Sequence, residues 1–327
     1  MKQVPASQNN QPVIGLFREH RDIETFVFKA AHYKQAYHEL IDRINELGGY
    51  VAILMGQSTY KGNGVFTKHW VQVHDGSGYR FEKRGRIKVD MLYVKDFFDV
   101  PEGDRLLQVN TLAFRQLCSD KHAAYQVLED FHPKSRLVYT VAESKEAFDD
   151  IPGTHIVVKT LYGNSGTGVY VGPKNEFSVT KYGKDFPWQV QQYVETERGI
   201  PGIATGRHDF RVVLKNGEPV IATVRTPPDG EYKSNIGYGG ETCLIDRSNI
   251  PEALVQLSRQ IDARLSSLGS ERFYSADFGL TENGWVLFEV NALPGTLDRA
   301  RGEEAIYYQE TLAAFLVDIA KRERRKQ

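Results

Sequence analysis

Cysteine is scarce in this sequence: there are two in 327 residues, Cys118 and Cys243, without metal-ligand spacing. That excludes a disulfide framework and a cysteine-based zinc site, and it makes a reducing cytoplasm the expected home. An excess of one charge is also missing. Lys and Arg total 41 against 42 Asp and Glu, a formal net charge of −1. No global field therefore draws the chain to nucleic acid or an acidic membrane, and neither is expected as a partner. No apolar run is long enough to span a bilayer, and the opening MKQVPASQNNQP is polar and flexible in character, unlike a signal peptide. The nine histidines form no ligand cluster, and no Ser-His-Asp or Cys-His set stands out. Covalent nucleophilic catalysis thus has no evident carrier.

What is present suits two or three domains. After a flexible stretch at 1–12, strands at 13–17, 51–55, 70–74, 79–81 and 89–94 surround an amphipathic helix. Its apolar positions run from Phe26 to Leu47, and it ends at Gly48-Gly49. This reads as a small α/β domain over 13–109. Helices at 111–118 and 120–130 follow, the second capped by Asp120. Next come a strand at 137–141, a helix at 144–148 and strands at 156–160, 169–171 and 188–194. A hairpin at 210–214 and 219–225 turns on Asn216-Gly217. A helix at 252–268, a second hairpin and a last helix at 303–321 complete the pass.

The second hairpin carries the chemistry. Strands YSADFGL and WVLFEVN flank Glu282-Asn283-Gly284, and a three-residue loop with Gly in the left-handed position sets Thr281 opposite Trp285 and Asp277 opposite Glu289. Alternation then projects Ser275, Asp277, Glu289 and Asn291 from one face. Carboxylates opposed in this way repel. A divalent cation removes the repulsion, and an all-oxygen set suits Mg²⁺; the alternative is a solvent-facing hairpin with hydrated charges.

A further stretch, VVKTLYGNSGTGVYV, places glycines between two apolar strands. Backbone N–H groups of such a loop can line up on a phosphate, with Lys159 adding a point charge; otherwise it is a flexible hairpin tip. It lacks the Gly-Lys-Ser/Thr of a Walker A loop, and a strand follows it where a dinucleotide fingerprint needs a helix. His20-Arg21-Asp22 and Asp277-Phe278-Gly279 echo kinase motifs, but they lie at opposite ends of the chain and read as coincidence.

Taken in order, Asp120-Lys121, Lys159 with its glycine loop, VQQYV, HDFRVVL, SNIGYGGE, Asp277 and Glu289-x-Asn291 resemble the ATP-grasp superfamily. Within it the likeness is to the branch of RimK-like glutamate ligases and bacterial glutathione synthetases. The match runs from about Asn110 onward. It implies an α/β N-terminal domain at 13–109 followed by an α+β ATP-grasp fold, two α+β subdomains clasping ATP. These would be a small lid subdomain with connecting helices at 110–194 and a large C-terminal subdomain at 195–327. By the same resemblance, Lys121 and Lys159 hold nucleotide phosphates under a lid at 163–168, with Gly163, Ser165, Gly166 and Gly168. Gln191, Gln192 and Val194 read adenine, and Asp209 binds ribose. Arg211, Arg225, Lys233 and Asn235 hold the reacting carboxyl and the transferred phosphate. Asp277, Glu289 and Asn291 ligate metal, expected as two Mg²⁺ ions that Mn²⁺ can replace.

The implied reaction is ATP-dependent carboxylate–amine ligation through an acylphosphate, with ADP and phosphate as products. Such phosphoryl transfer needs positioning and charge neutralisation more than a protein nucleophile. The substrates would be a small-molecule or peptide carboxylate and an amine, an amino acid being expected. Homodimers and homotetramers are usual among enzymes of this kind. The alternatives are an ATP-grasp small-molecule kinase and an ATP-binding regulatory protein without turnover. The sequence departs from the pattern at Gln192, where many relatives carry an acid, and at Lys233, where arginine is common. The stretch 195–206 is long and glycine-rich, a candidate substrate loop, and Arg299 and Arg301 are either a carboxylate clamp or a solvated approach to the last helix.

Overall fold

The computed structural model describes residues 11–19, 23, 31–76, 78–163, 168–182, 186–234 and 239–326. Two compact units emerge, Met1–Leu112 with Gly295–Gln327, and Ala113–Pro294.

The first unit is built on β1 (Val13–Arg18), β2 (Tyr50–Met55), β3 (Val65–Phe66), β4 (His69–His74), β5 (Tyr79–Arg84), β6 (Ile87–Lys88), β7 (Met91–Val94) and β8 (Leu107–Val109). Six of these form one sheet in the order β5-β4-β2-β1-β7-β8, while β3 pairs with β6. The apolar runs of β1, β2 and β7 mark strands buried on both faces, and they pair in parallel. The helix expected from Phe26 is described over Ala31–Glu46; its expected start lies outside the described residues. Gly48, at φ +83°, follows its end, where a left-handed residue costs glycine little.

The expected subdomain at 195–327 includes the C-terminal helix, Glu303–Arg325, but the structure groups that helix with the first unit. It buries Ala305, Tyr308, Leu312 and Leu316. Gln309 donates to the Ala36 carbonyl at 3.2 Å, and Arg43 bonds to Glu310. Arg299, one of the two candidate clamps, is paired with Glu310 at 3.4 Å.

The second unit carries two antiparallel sheets. The smaller joins β9 (Ser135–Val138), β10 (His155–Thr160), β11 (Val169–Pro173) and β12 (Trp188–Gln192) in the order β11-β10-β12-β9. Ile156, Val158, Trp188 and Val190 pack its core with helix Val141–Asp150, leaving Val157, Lys159, Gln189 and Gln191 on the other face. The strand expected at 137–141 stops at Val138, because the Thr140 side chain accepts from the Glu143 N–H and starts that helix early.

The larger sheet joins β13 (Asp209–Lys215), β14 (Glu218–Thr226), β15 (Glu241–Ile245), β16 (Phe273–Thr281) and β17 (Gly284–Asn291) in the order β15-β14-β13-β16-β17. Asn216 and Gly217 have φ of +49° and +84°, so the Asn-Gly turn of β13-β14 forms as expected. The β16-β17 hairpin differs in detail. Thr281 opposes Gly284 and Leu280 opposes Trp285, one residue tighter than the expected loop. A bulge at Phe288 then restores the register, and Asp277 still opposes Glu289. The stretch 195–206 is anchored rather than open, with Ile200 buried in the large-sheet core and bonded to Ala204.

Arg272, just before β16, reaches both carboxylate oxygens of Asp262 on helix Glu252–Leu265, one of them at 2.9 Å. The pair is buried. Asp262→Ala should therefore cost about 3–5 kcal/mol by stranding the guanidinium. Asp262→Leu with Arg272→Leu should recover most of that loss, read by urea denaturation.

Candidate functional site

The polar face of the larger sheet is a checkerboard of charge. Asp209 pairs with Arg225, Arg211 with Asp277, and Asp277 with Glu289 across four adjacent strands. Beneath them Phe210, Val212, Ala276, Phe278 and Leu287 fill the core. Arg211 grips Asp277 bidentately, Nε to Oδ1 at 2.6 Å and Nη2 to Oδ2 at 2.7 Å. Arg225 donates to the same Oδ2 at 2.8 Å and also bonds to Asp209. Burial opposes the charge of Asp277, but the two guanidiniums overcome it and hold its pKa at about 2. Asp209 goes the other way: burial, and then the like charge of Asp277, raises its pKa to about 7.

Glu289 lies on the same floor and forms no hydrogen bond or ion pair among the described residues. Asn291 accepts from the Leu293 N–H at 2.9 Å, which leaves its amide oxygen a second lone pair. Asp277 Oδ1 likewise accepts one bond among the described residues. Two carboxylates and an amide oxygen on one strand pair are a donor set that fits Mg²⁺. No clusters of three or more His, Cys, Asp or Glu able to hold a metal occur among the described residues, so any metal here relies on Asn291 and added oxygens.

Facing this floor is the polar side of the smaller sheet. A cavity of about 260 Å³ runs between them, near the lower end for small-molecule sites. Lys159 projects from β10 and donates to Gln191 Oε1 at 2.7 Å. Burial lowers its pKa to about 8 although Glu289 pulls the other way. Lys121 opens helix Lys121–Leu128, whose cap is Asp120, as expected. Its ammonium donates to the Gly163 carbonyl at 2.8 Å, and burial lowers its pKa too. Neither lysine forms an ion pair among the described residues.

Of the other expected site residues, Gly163, Gln191, Gln192, Val194, Asp209, Arg211, Arg225 and Lys233 all line this cavity. Gln192 is fixed by its backbone N–H bonding to the Lys134 carbonyl at 2.8 Å. Lys233 feels the charge of Glu231 rather than that of the floor carboxylates. Gly168 stands off the wall, where its carbonyl accepts from the Thr160 N–H at 3.0 Å and closes the base of the glycine loop. Ser165, Gly166 and Asn235 lie outside the described residues.

Several further wall residues belong to no motif visible in the sequence. Phe288 lines the cavity beside Glu289, the bulge leaving two consecutive residues on that side, and a Cβ on Gly279 would sit 2.3 Å from its ring. Arg207 stacks on Tyr232 at 4.3 Å, and Tyr232 bonds to His155 on β10 at 3.0 Å. The Phe-Gly pair at 278–279 was the one visible hint of a crowded hairpin.

Lys159 provides a pH test. Its pKa falls from 10.5 to about 8 on folding, so the native state resists protonation more than the unfolded chain does. Stability then rises as pH climbs from about 8 towards 10.5. Lys159→Met should raise the melting temperature at pH 7, and calorimetry should show that advantage fading across this window.

Known proteins share this architecture. The sequence profile of the family described as prokaryotic glutathione synthetase, ATP-grasp domain, matches residues 123–292. A probable alpha-L-glutamate ligase of Shewanella halifaxensis is 24% identical over 201 residues, 59% of this chain and 41% of that protein. A glutathione synthetase of Mesorhizobium japonicum is 31% identical over 162 residues, 48% of this chain and 45% of that protein. The chain thus spans about half the length of the curated relatives it matches. Among solved structures, D-alanyl-alanine synthetase A from Vibrio cholerae superposes with a TM-score of 0.62 at 15% identity, covering 95% of this chain and 98% of that one. A RiPP-associated ATP-grasp ligase of Chryseobacterium gregarium, solved with ADP and a leader and core peptide, gives 0.62 at 10% identity, covering 94% and 97%. With its ATP-grasp fold and a profile match over more than half its length, the chain belongs to the prokaryotic glutathione synthetase ATP-grasp domain family.

Proposed function

We propose that the protein is an ATP-dependent carboxylate–amine ligase. One observation carries this reading: two buried lysines, Lys121 and Lys159, without ion pairs among the described residues, face a floor on which Glu289 is also unpaired. A polyanion with its metal neutralises both walls at once. The phosphates of ATP are such a polyanion.

In this reading Lys121 and Lys159 hold the phosphates, with Gly163 beside them. Gln191, Gln192 and Val194 take the base, and Asp209 the ribose. Asp277, Glu289 and Asn291 would hold Mg²⁺, as two ions that Mn²⁺ could replace. Bound metal supplies charge neutralisation on the transferring phosphoryl group. The carboxylate substrate attacks the γ-phosphorus, its oxygen forming the new P–O bond as ADP leaves. An amine then attacks the acyl carbon, and phosphate departs. Arg211 and Arg225, locked to Asp277 in fixed orientation, present positive charge to the developing oxyanions. Lys233 contributes a single-point contact where an arginine fork would give two. The relatives named as glutamate ligases support an amino acid as the amine. We place the reaction in the cytoplasm; among the described residues no helix is long and apolar enough to cross a membrane.

The test is phosphorus NMR of Mg·ATP turned over with pooled amino acids and small carboxylates, with and without hydroxylamine. Carboxylate-dependent ADP and phosphate, with hydroxamate trapped, is the expected result. A new organic phosphate without free phosphate would instead assign a kinase. Glu289→Ala and Asn291→Ala should each abolish turnover while circular dichroism stays native. Wild-type-like rates in either variant would remove the metal assignment.

A further inference from the structure

Behind the two lysines lies a second, much smaller cavity of about 10 Å³, sharing Lys121, Lys159, Gln191, Phe288 and Glu289 with the main one. Its remaining wall includes His132, Gln189 and Cys118. His132 follows the short helical turn Glu129–Phe131 and packs against the Tyr125 ring at 5.9 Å between centroids. Both of its ring nitrogens are shut off from solvent and have no hydrogen-bond partner among the described residues. The Leu287 backbone carbonyl acts on the ring as an acceptor and raises its pKa against the effect of burial, although the contact falls outside ordinary hydrogen-bond geometry. Buried polar groups are nearly always satisfied, so an imidazole whose acceptor nitrogen stands open calls for an account.

We propose that His132 is a positioning residue for Lys159, acting through one water held in this small cavity. The inference rests on the reading of Lys159 as a phosphate ligand. The cavity has room for a single water, and its walls carry the several polar partners such a water needs. Burial, and then the charge of Lys159, pushes the His132 pKa down to about 3, so the ring is neutral and offers one acceptor nitrogen. The Lys159 ammonium has three donors, and one is spent on Gln191. A second reaches the water, and the water donates to the imidazole. Lys159 is thereby held between Gln191 and His132, and its third N–H is left for an anion.

A core role for His132 makes a different forecast, because an apolar side chain of similar size would then serve as well or better. The discriminating variant is His132→Leu, with His132→Met as a second apolar replacement and His132→Asn as the polar rescue. Two readouts are taken: the Kd for Mg·ATP, with its split into KM and kcat, and the ¹⁵Nζ resonance of Lys159. The expected result is a melting temperature at or above wild type and a shifted Lys159 resonance. ATP affinity should be weaker by about tenfold, or about 1.4 kcal/mol, carried mostly in KM, and His132→Asn should restore much of it. Wild-type affinity and an unmoved Lys159 resonance in a folded apolar variant would overturn the proposal. Should the wild-type chain itself fail to bind Mg·ATP, the nucleotide reading falls. The Lys159 resonance then decides the His132 contact alone, a shift upholding it and an unmoved signal removing it.

Discussion

A carboxylate buried in the face of a sheet must be paired, and Asp277 is the one around which the larger sheet is arranged. Leaving it alone would strand a charge in low dielectric. The sheet instead brings Arg211 from the next strand and Arg225 from the strand beyond, and together they fill three of its acceptor positions. Because Arg225 is shared with Asp209, the second acid is under-compensated, and the opposite pKa directions of the two follow from that unequal division. The arrangement fixes the strand register as firmly as the core does. A one-residue slip would turn every one of these charges into the apolar side.

That requirement accounts for the bulge in the hairpin. The turn after Thr281 is one residue tighter than its sequence suggests, so an unbroken ladder would set Phe288 against Asp277. The extra residue at Phe288 puts Glu289 there instead, and the phenyl ring keeps a place on the cavity wall beside it. Gly279 completes the device, since any side chain there would occupy the space of the ring.

Much of this was legible in the sequence, for identifiable reasons. Period-2 alternation found the acid face of Asp277, Glu289 and Asn291, and the Asn-Gly turn found its neighbour hairpin. What escaped was information that resides in pairing between distant segments. The last helix reads simply as amphipathic, and nothing in its own residues tells that its apolar side meets helix Ala31–Glu46. The strands β8 and β15 are short and partly polar, supported by their neighbours rather than by their own periodicity. The expected Asp277–Glu289 pairing came out right although the loop assumed for it was wrong, because the bulge cancelled the error. His132 carries no local signal at all, since a histidine before proline means nothing until Lys159 is placed beside it.

The two walls of the cavity also use different cations, and the difference follows from what each has to do. Arginine keeps its charge when buried and presents a planar fork, so it suits a permanent bidentate bond to a carboxylate. Arg211 and Arg225 occupy such positions, both bonded to Asp277 and so held in fixed orientation. A lysine in that place would offer a point contact and would lose its proton more readily on burial. On the opposite wall the demands reverse. Lys159 and Lys121 are compact, hydrogen-bonded among the described residues only to neutral groups, and depressed in pKa by burial. Their charge is costly until an anion arrives, and that cost is recovered on binding. A guanidinium there would need several partners of its own and would be satisfied before any ligand came. Committed arginines on the floor and uncommitted lysines above it thus give a site whose geometry is set in advance and whose attraction for a polyanion is still unspent.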